Sequence, residues 1–423
     1  MFDLFRGANP AIGIVYYAKG APPVESFVDL MSTGAEIVPL DDAGEDAVWA
    51  FALRHPRFGS AKVWQPGTPA PVDDFLEFGR DLTPAEREAA QSAGGAVQVM
   101  VPTAYKGILR ERKRLLRFLQ LLMSEDAVLA VDLGSGLPWS RAALDAELAH
   151  DAPLDPAALY VYHAVMDGDG RVNWIHTHGL VEFGGFDLDI LRPNEFVERE
   201  ADDFLRALTF AMLECKIEER TECFQLAGPQ GDVSLVPARE FMATASAEDR
   251  ALRETGGRPG KPHLTRRAVV CDPIRGELSE TNRPRPSRFL AERADPAVRF
   301  SWTDAADELM ALRAQKTRSV LGSVLEEFAA VPLTAKARLN FPRATSATPE
   351  HLWFEVHSMH CDSVDCTVDS TLLDEPSDVV DMHKGLRAVQ SLSRVSDWLV
   401  STPAGTVTPR STLPIRLLRE TRK

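Results

Sequence analysis

An unbroken apolar run at 12–17, IGIVYY, carries the β-branched and aromatic residues of a buried strand. Residues 47–53 and 60–64 predict two more strands around the turn-forming HPRFG, and 96–101 (AVQVMV) predicts another. A short helix is expected at 23–31. Thr83-Pro84-Ala85-Glu86 marks a helix start: a threonine to cap, a proline suited to the first turn, and a glutamate placed to complete a capping box. Ile108, Leu115, Leu119 and Leu122 recur at helical spacing, so a helix is expected over 106–123. Arg110, Arg112, Lys113, Arg114 and Arg117 occupy much of its other surface, and a solvated face explains them more simply than an anion site.

Residues 127–133 predict a strand and 140–150 a capped helix. Strand-like runs follow at 159–165, 171–181 and 186–191, the first two joined through the tight turn DGDG at 167–170. A helix is expected over 194–219, with Phe196, Phe204, Leu208 and Met212 on its apolar face. Between 245 and 288 the periodicity gives way to GGRPGKPH and NRPRPSR, an exposed basic connection by composition. After a helix at 303–329 the chain turns strand-rich. There Leu352, Phe354 and Val356 alternate with Trp353 and Glu355, which reads as a small twisted sheet or barrel.

The expected class is therefore α+β. A mixed-sheet region with packed helices spans 1–240, with a subdomain break near 100; an irregular basic stretch with a helix spans 241–330; a β-rich, barrel-like domain spans 331–423. A length of 423 residues supports more than one core. The net charge of −15 argues against nucleic acid as a partner, because phosphate binding needs surplus Lys and Arg. No basic-then-apolar leader and no apolar stretch near the ~20 residues of a membrane span is visible. Five scattered cysteines fit a reducing compartment better than a disulfide scaffold. A cytoplasmic location, without membrane, is the expectation.

Several motifs invite chemistry. The stretch from Val128 to Gly136, VLAVDLGSG, resembles the strand and glycine turn of S-adenosylmethionine methyltransferases. Leu137-Pro138 breaks that pattern, and no second strand ending in an acid follows, so a plain strand and turn is the better reading. There is no G-x-S-x-G elbow for a nucleophilic serine. In WIHTHGL (174–180), His176 and His178 stand two apart on a strand, so both imidazoles project from one face, as ligands are offered to Zn²⁺. Asp187 and Asp189 share a face of the next strand; a two-residue turn at Gly184-Gly185 would set Glu182 opposite Asp187. The competing reading is a hairpin with hydrogen-bonded histidines. A second group, His351, His357, His360, Cys361, Cys366 and His383, has soft ligands but a C-x4-C spacing without the paired-knuckle form.

The spacing at His176 also resembles the JAMM-type metalloproteases, with Asp189 at their aspartate position. Phe186 replaces their serine and Gly179 their proline, and no upstream Glu is assigned as base. More broadly, the block WIHTHGLVEFGGFDLDIL resembles an uncharacterised bacterial domain-of-unknown-function family. The C-terminal EHLWFEV (350–356), LDEP (373–376), VSDW (395–398) and the 405–409 tail resemble a small domain that accompanies it. Those resemblances carry no reaction and place the chain near toxin-immunity proteins. They imply a non-enzymatic protein-binding role, with Trp353 and Trp398 as candidate contact residues and no cofactor. The alternative is a metal-dependent hydrolase in which His176, His178 and Asp189 hold Zn²⁺.

Overall fold

A computed structural model describes residues 9–40, 46–79, 81–104, 107–166, 168–193, 201–227, 231–255, 266–279, 281–288, 303–341, 350–369 and 383–422. The chain forms two compact units built from discontinuous segments. One comprises Met1–Gly79, Ala93–Pro138 and Leu154–Thr303, the other Arg80–Ser92, Trp139–Pro153 and Asp304–Lys423. The α+β class holds, with helices beside three antiparallel or mixed sheets.

In the first unit, β1 (Asn9–Tyr17), β2 (Glu36–Pro39), β3 (Ala47–His55), β4 (Gly59–Pro66), β5 (Gly95–Thr103), β6 (Ala127–Asp132) and β7 (Leu137–Trp139, of which the unit holds Leu137 and Pro138) form a sheet in the order β2-β3-β4-β5-β1-β6-β7. β1 is central, its apolar run Ile14 to Tyr17 almost wholly buried. The Ile108–Leu122 helix packs against β1, β5 and β6. Two of its basic residues, Arg112 and Lys113, are buried with the leucines rather than solvated. The segment expected as a short α-helix near 23–31 is a 3-10 helix, Val24–Thr33.

The unit's second sheet combines β8 (Val161–Met166), β9 (Val172–His178), β10 (Asp187–Leu191), β11 (Thr221–Ala227), β12 (Gly231–Pro237) and β13 (Arg267–Cys271), in the order β11-β12-β13-β10-β9-β8. β13 falls inside the stretch expected to be an exposed connection. Its five residues, RAVVC, are all buried, paired parallel to β10 and antiparallel to β12. The Ala201–Leu213 helix covers one face of this sheet, Phe204, Leu205 and Leu208 meeting Ile175, Leu188, Ile190 and Val270. Residues of the opposite face, Trp174, Leu191, Val236, Val269 and Cys271, form another core with Phe241. Neighbours Trp174 and Ile175 thus enter different cores, as strand alternation requires. Phe196, expected on that helix, lies outside the described residues.

The second unit is built on β14 (Thr334–Phe341), β15 (Glu350–His360), β16 (Ser363–Val368), β17 (Arg387–Ser391), β18 (Val395–Thr402) and β19 (Gly405–Val407), ordered β17-β16-β15-β14-β18-β19. This is an open antiparallel sheet, not the expected barrel, because its two edges, β17 and β19, do not pair. Leu321, Val324 and Phe328, along and just beyond the Asp304–Glu327 helix, share a core with Leu339, Phe354 and Trp398. At Thr83 the predicted capping box is formed: Glu86 N–H donates to Thr83 Oγ1 at 3.2 Å and Thr83 N–H to Glu86 Oε2 at 2.9 Å.

Candidate metal centre

The hairpin β8–β9 brings three imidazoles together. His163 pairs across the strands with His176, and Val161 with His178. His163, His176 and His178 therefore lie on one face, with ring centroids 4.9 to 5.1 Å apart. Their ligand nitrogens all fall within 4.8 Å of one another. Among the described residues, no other group of histidine, cysteine or acidic side chains converges in this way. Phe78 meets the His163 ring edge-on at 4.6 Å, and Trp174 packs on His176 at 4.1 Å.

Burial grades across the cluster. His176 is 4% exposed, whereas His163 and His178 are half-buried. Burial, reinforced by the charges of His178 and Arg267, pushes the His176 imidazole down to about 2, so it stays neutral. A neutral imidazole is the form that binds a metal.

Asp189 occupies a different position from the one its spacing suggests. It is opposite His176 in the β9–β10 register, but its carboxylate is turned to Arg267, which donates to Oδ1 at 2.8 Å, and to Trp174, whose indole N–H donates at 3.1 Å. Asp189 and Arg267 are both buried, and a buried ion pair holds only while each partner is satisfied. Arg267 also donates to the Thr177 carbonyl at 3.0 Å and reaches Asp187 at 3.4 Å. Asp187 accepts from the Thr177 hydroxyl at 3.1 Å and from Leu180 N–H at 3.2 Å, and burial lifts its carboxyl to about 6 against the pull of Arg267. Glu182 is not opposite Asp187: Leu180–Phe183 is a 3-10 turn, and no two-residue hairpin forms at Gly184-Gly185. The acids beside the histidines thus form a salt-bridged support, and His163 is the third member of the cluster.

His163 has no motif in the sequence. A register shift between Val165 and Met166 sets which β8 residue faces His176, and one residue of slip would replace His163 by a neighbour.

The glycine turn after β6 serves packing. Asp132 is buried, accepts from Arg112 Nε at 2.9 Å and caps Gly134 N–H at 3.0 Å. A side chain at Gly134 would stand 2.6 Å from Arg112, so the glycine admits that guanidinium. Burial lowers Arg112 to about 10, and Phe183 stacks 4.8 Å away. In the other soft-ligand group, His357 bonds Thr367 at 2.7 Å, His360 bonds Ser358 at 3.2 Å, and Cys366 is buried.

The two tryptophans separate. Trp398 is 1% exposed, with its indole donating to Thr317 at 3.2 Å, whereas Trp353 is half-buried on β15 opposite Arg338. No helix among the described residues is long and apolar enough to cross a membrane. Comparison of the chain with protein-family models, curated proteins and solved structures finds no match.

Proposed function

We propose that the protein binds a divalent transition metal of the zinc type through His163, His176 and His178. The convergence of three imidazoles within 4.8 Å on one hairpin carries this reading. Three imidazole nitrogens suit Zn²⁺ and its neighbours rather than Mg²⁺ or Ca²⁺, which take oxygen. Ligands on a tetrahedral ion with Zn–N of about 2.0–2.1 Å lie roughly 3.3 Å apart, so nitrogens now within 4.8 Å of one another need close by at most about 1.5 Å.

A metal-dependent hydrolase is the second reading. His163 and His178 are half-buried, which leaves a fourth position for water, whose pKa an ion of this type lowers towards ~7. Against it, Asp187 and Asp189 beside the cluster are committed to Arg267, so among the described residues neither acid is free to act as a general base. Metal binding without hydrolysis is the better supported of the two. The partner-binding role retains Trp353 as its contact residue, Trp398 being core.

Titration of the purified protein with Co²⁺, followed by its visible absorption and by competition with Zn²⁺, tests the site. One ion per chain is expected, with affinity falling at least ~100-fold in His163→Ala and in His178→Ala, beyond the roughly 10–100-fold of an outer-shell change. Equal binding by wild type and both variants would sink the proposal.

A further inference from the structure

We infer that Thr177 is a positioning residue for metal binding: with Arg267 behind it, it holds the backbone between His176 and His178 so that both imidazoles reach one ion. The inference rests on the histidine site proposed above. Alternation along β9 turns the Thr177 side chain away from the imidazoles, and the residue is wholly buried. The paired register of β9 with β10 ends where His176 lies opposite Asp189. Just beyond that point the Thr177 hydroxyl takes over, accepting from Leu188 N–H at 2.8 Å and donating to Asp187 at 3.1 Å.

Arg267 closes the arrangement from β13, on the far side of β10. Its guanidinium donates to the Thr177 carbonyl at 3.0 Å and to Asp189 at 2.8 Å, and its Nη1 lies 3.4 Å from Asp187. The one residue separating the two β9 histidines is therefore held through both its hydroxyl and its carbonyl, by groups that are themselves buried. A hydroxyl suits the place because it donates and accepts at once. The imidazole nitrogens, now within 4.8 Å of one another, have to close further on an ion, and a strand already fixed in its twist loses little freedom in doing so. Supporting groups one step behind the ligands are worth roughly 10–100-fold in metal affinity.

Titration of full-length variants with Co²⁺ tests this role. Thr177→Val keeps the shape and removes the hydroxyl; it should bind Co²⁺ at least roughly tenfold more weakly, with altered visible absorption of the bound ion, and Thr177→Ser should restore both. Thr209→Val deletes another buried hydroxyl, on the Ala201–Leu213 helix, where it donates to the Leu205 carbonyl at 2.8 Å; it should leave affinity and absorption as in the wild type. Arg267→Lys keeps the charge but gives up the fork that spans Asp189 and the Thr177 carbonyl, so it should weaken binding by a similar factor, and it decides the matter if Thr177→Val does not fold. Wild-type affinity and absorption in Thr177→Val or Arg267→Lys overturn the role, as does Thr177→Ser binding no better than Thr177→Val, or Thr209→Val weakened to the same degree. A wild type that takes up no Co²⁺ overturns the metal site along with it.

Discussion

Gly179 shows how one residue can be fixed by backbone geometry rather than by chemistry. It directly follows His178, has φ of 116°, and a Cβ there would lie 2.8 Å from the Leu159 carbonyl oxygen and 2.9 Å from Ser135 Cα. Proline, which the JAMM-type pattern has at this place, cannot adopt that φ. Gly179→Ala should therefore cost at least about 2 kcal/mol, combining left-handed strain with a backbone clash. Urea denaturation measures it; a loss within about 0.5 kcal/mol, the level of an ordinary surface change, would mean that the turn relaxes freely. The same scale explains what was legible at the histidine cluster. His176 and His178 announce themselves by alternation, because two residues on one strand share a face whatever the fold. Asp189 also follows the alternation, yet its partner Arg267 lies 78 residues away, and no local pattern states that the carboxylate is already taken.

At the scale of elements, long periodic segments declared themselves and short buried ones did not. β1, the β3–β4 hairpin and the Ile108–Leu122 helix lie close to where apolar spacing puts them. β13 escaped because a five-residue strand buried on both faces has no alternation, and Pro, Gly and Arg surround it. β15 adds a pH dependence of its own. His351 lies opposite Asn340, with Nδ1 3.3 Å from Ser396 Oγ; burial and the charge of Arg338 push its imidazole down to about 4. The unfolded chain takes up that proton near pH 6.5, whereas the folded chain does so only near 4. The contribution of His351 is hence complete above pH 6.5 and is lost as the pH falls from 6.5 to 4. Denaturation midpoints at pH 7.5 and 4.5 should differ more in the wild type than in His351→Asn; an equal or larger drop in the variant would contradict this assignment.

For the molecule as a whole, each of the two units draws on segments far apart along the chain. The second unit takes its sheet from the C-terminal region but includes Arg80–Ser92 and Trp139–Pro153, whose role there depends on contacts hundreds of residues away. One buried group ties several of these pieces together. Arg313, 2% exposed on the Asp304–Glu327 helix, donates to both oxygens of Glu147, at 3.1 and 2.8 Å, and to the Pro153 carbonyl at 2.8 Å. A guanidinium suits this junction because its planar fork meets a carboxylate with two bonds and has donors left for carbonyls. Removing only the acid leaves a buried cation without its counter-charge, so Glu147→Ala should cost about 3–5 kcal/mol. The double change Glu147→Leu with Arg313→Met removes both charges and should recover most of that loss, since an apolar pair of similar volume often equals a buried ion pair. Chemical denaturation of the two proteins beside the wild type decides it. If the double variant is no more stable than Glu147→Ala, the carbonyl bonds of Arg313, rather than its charge pairing with Glu147, hold the segments of this unit together.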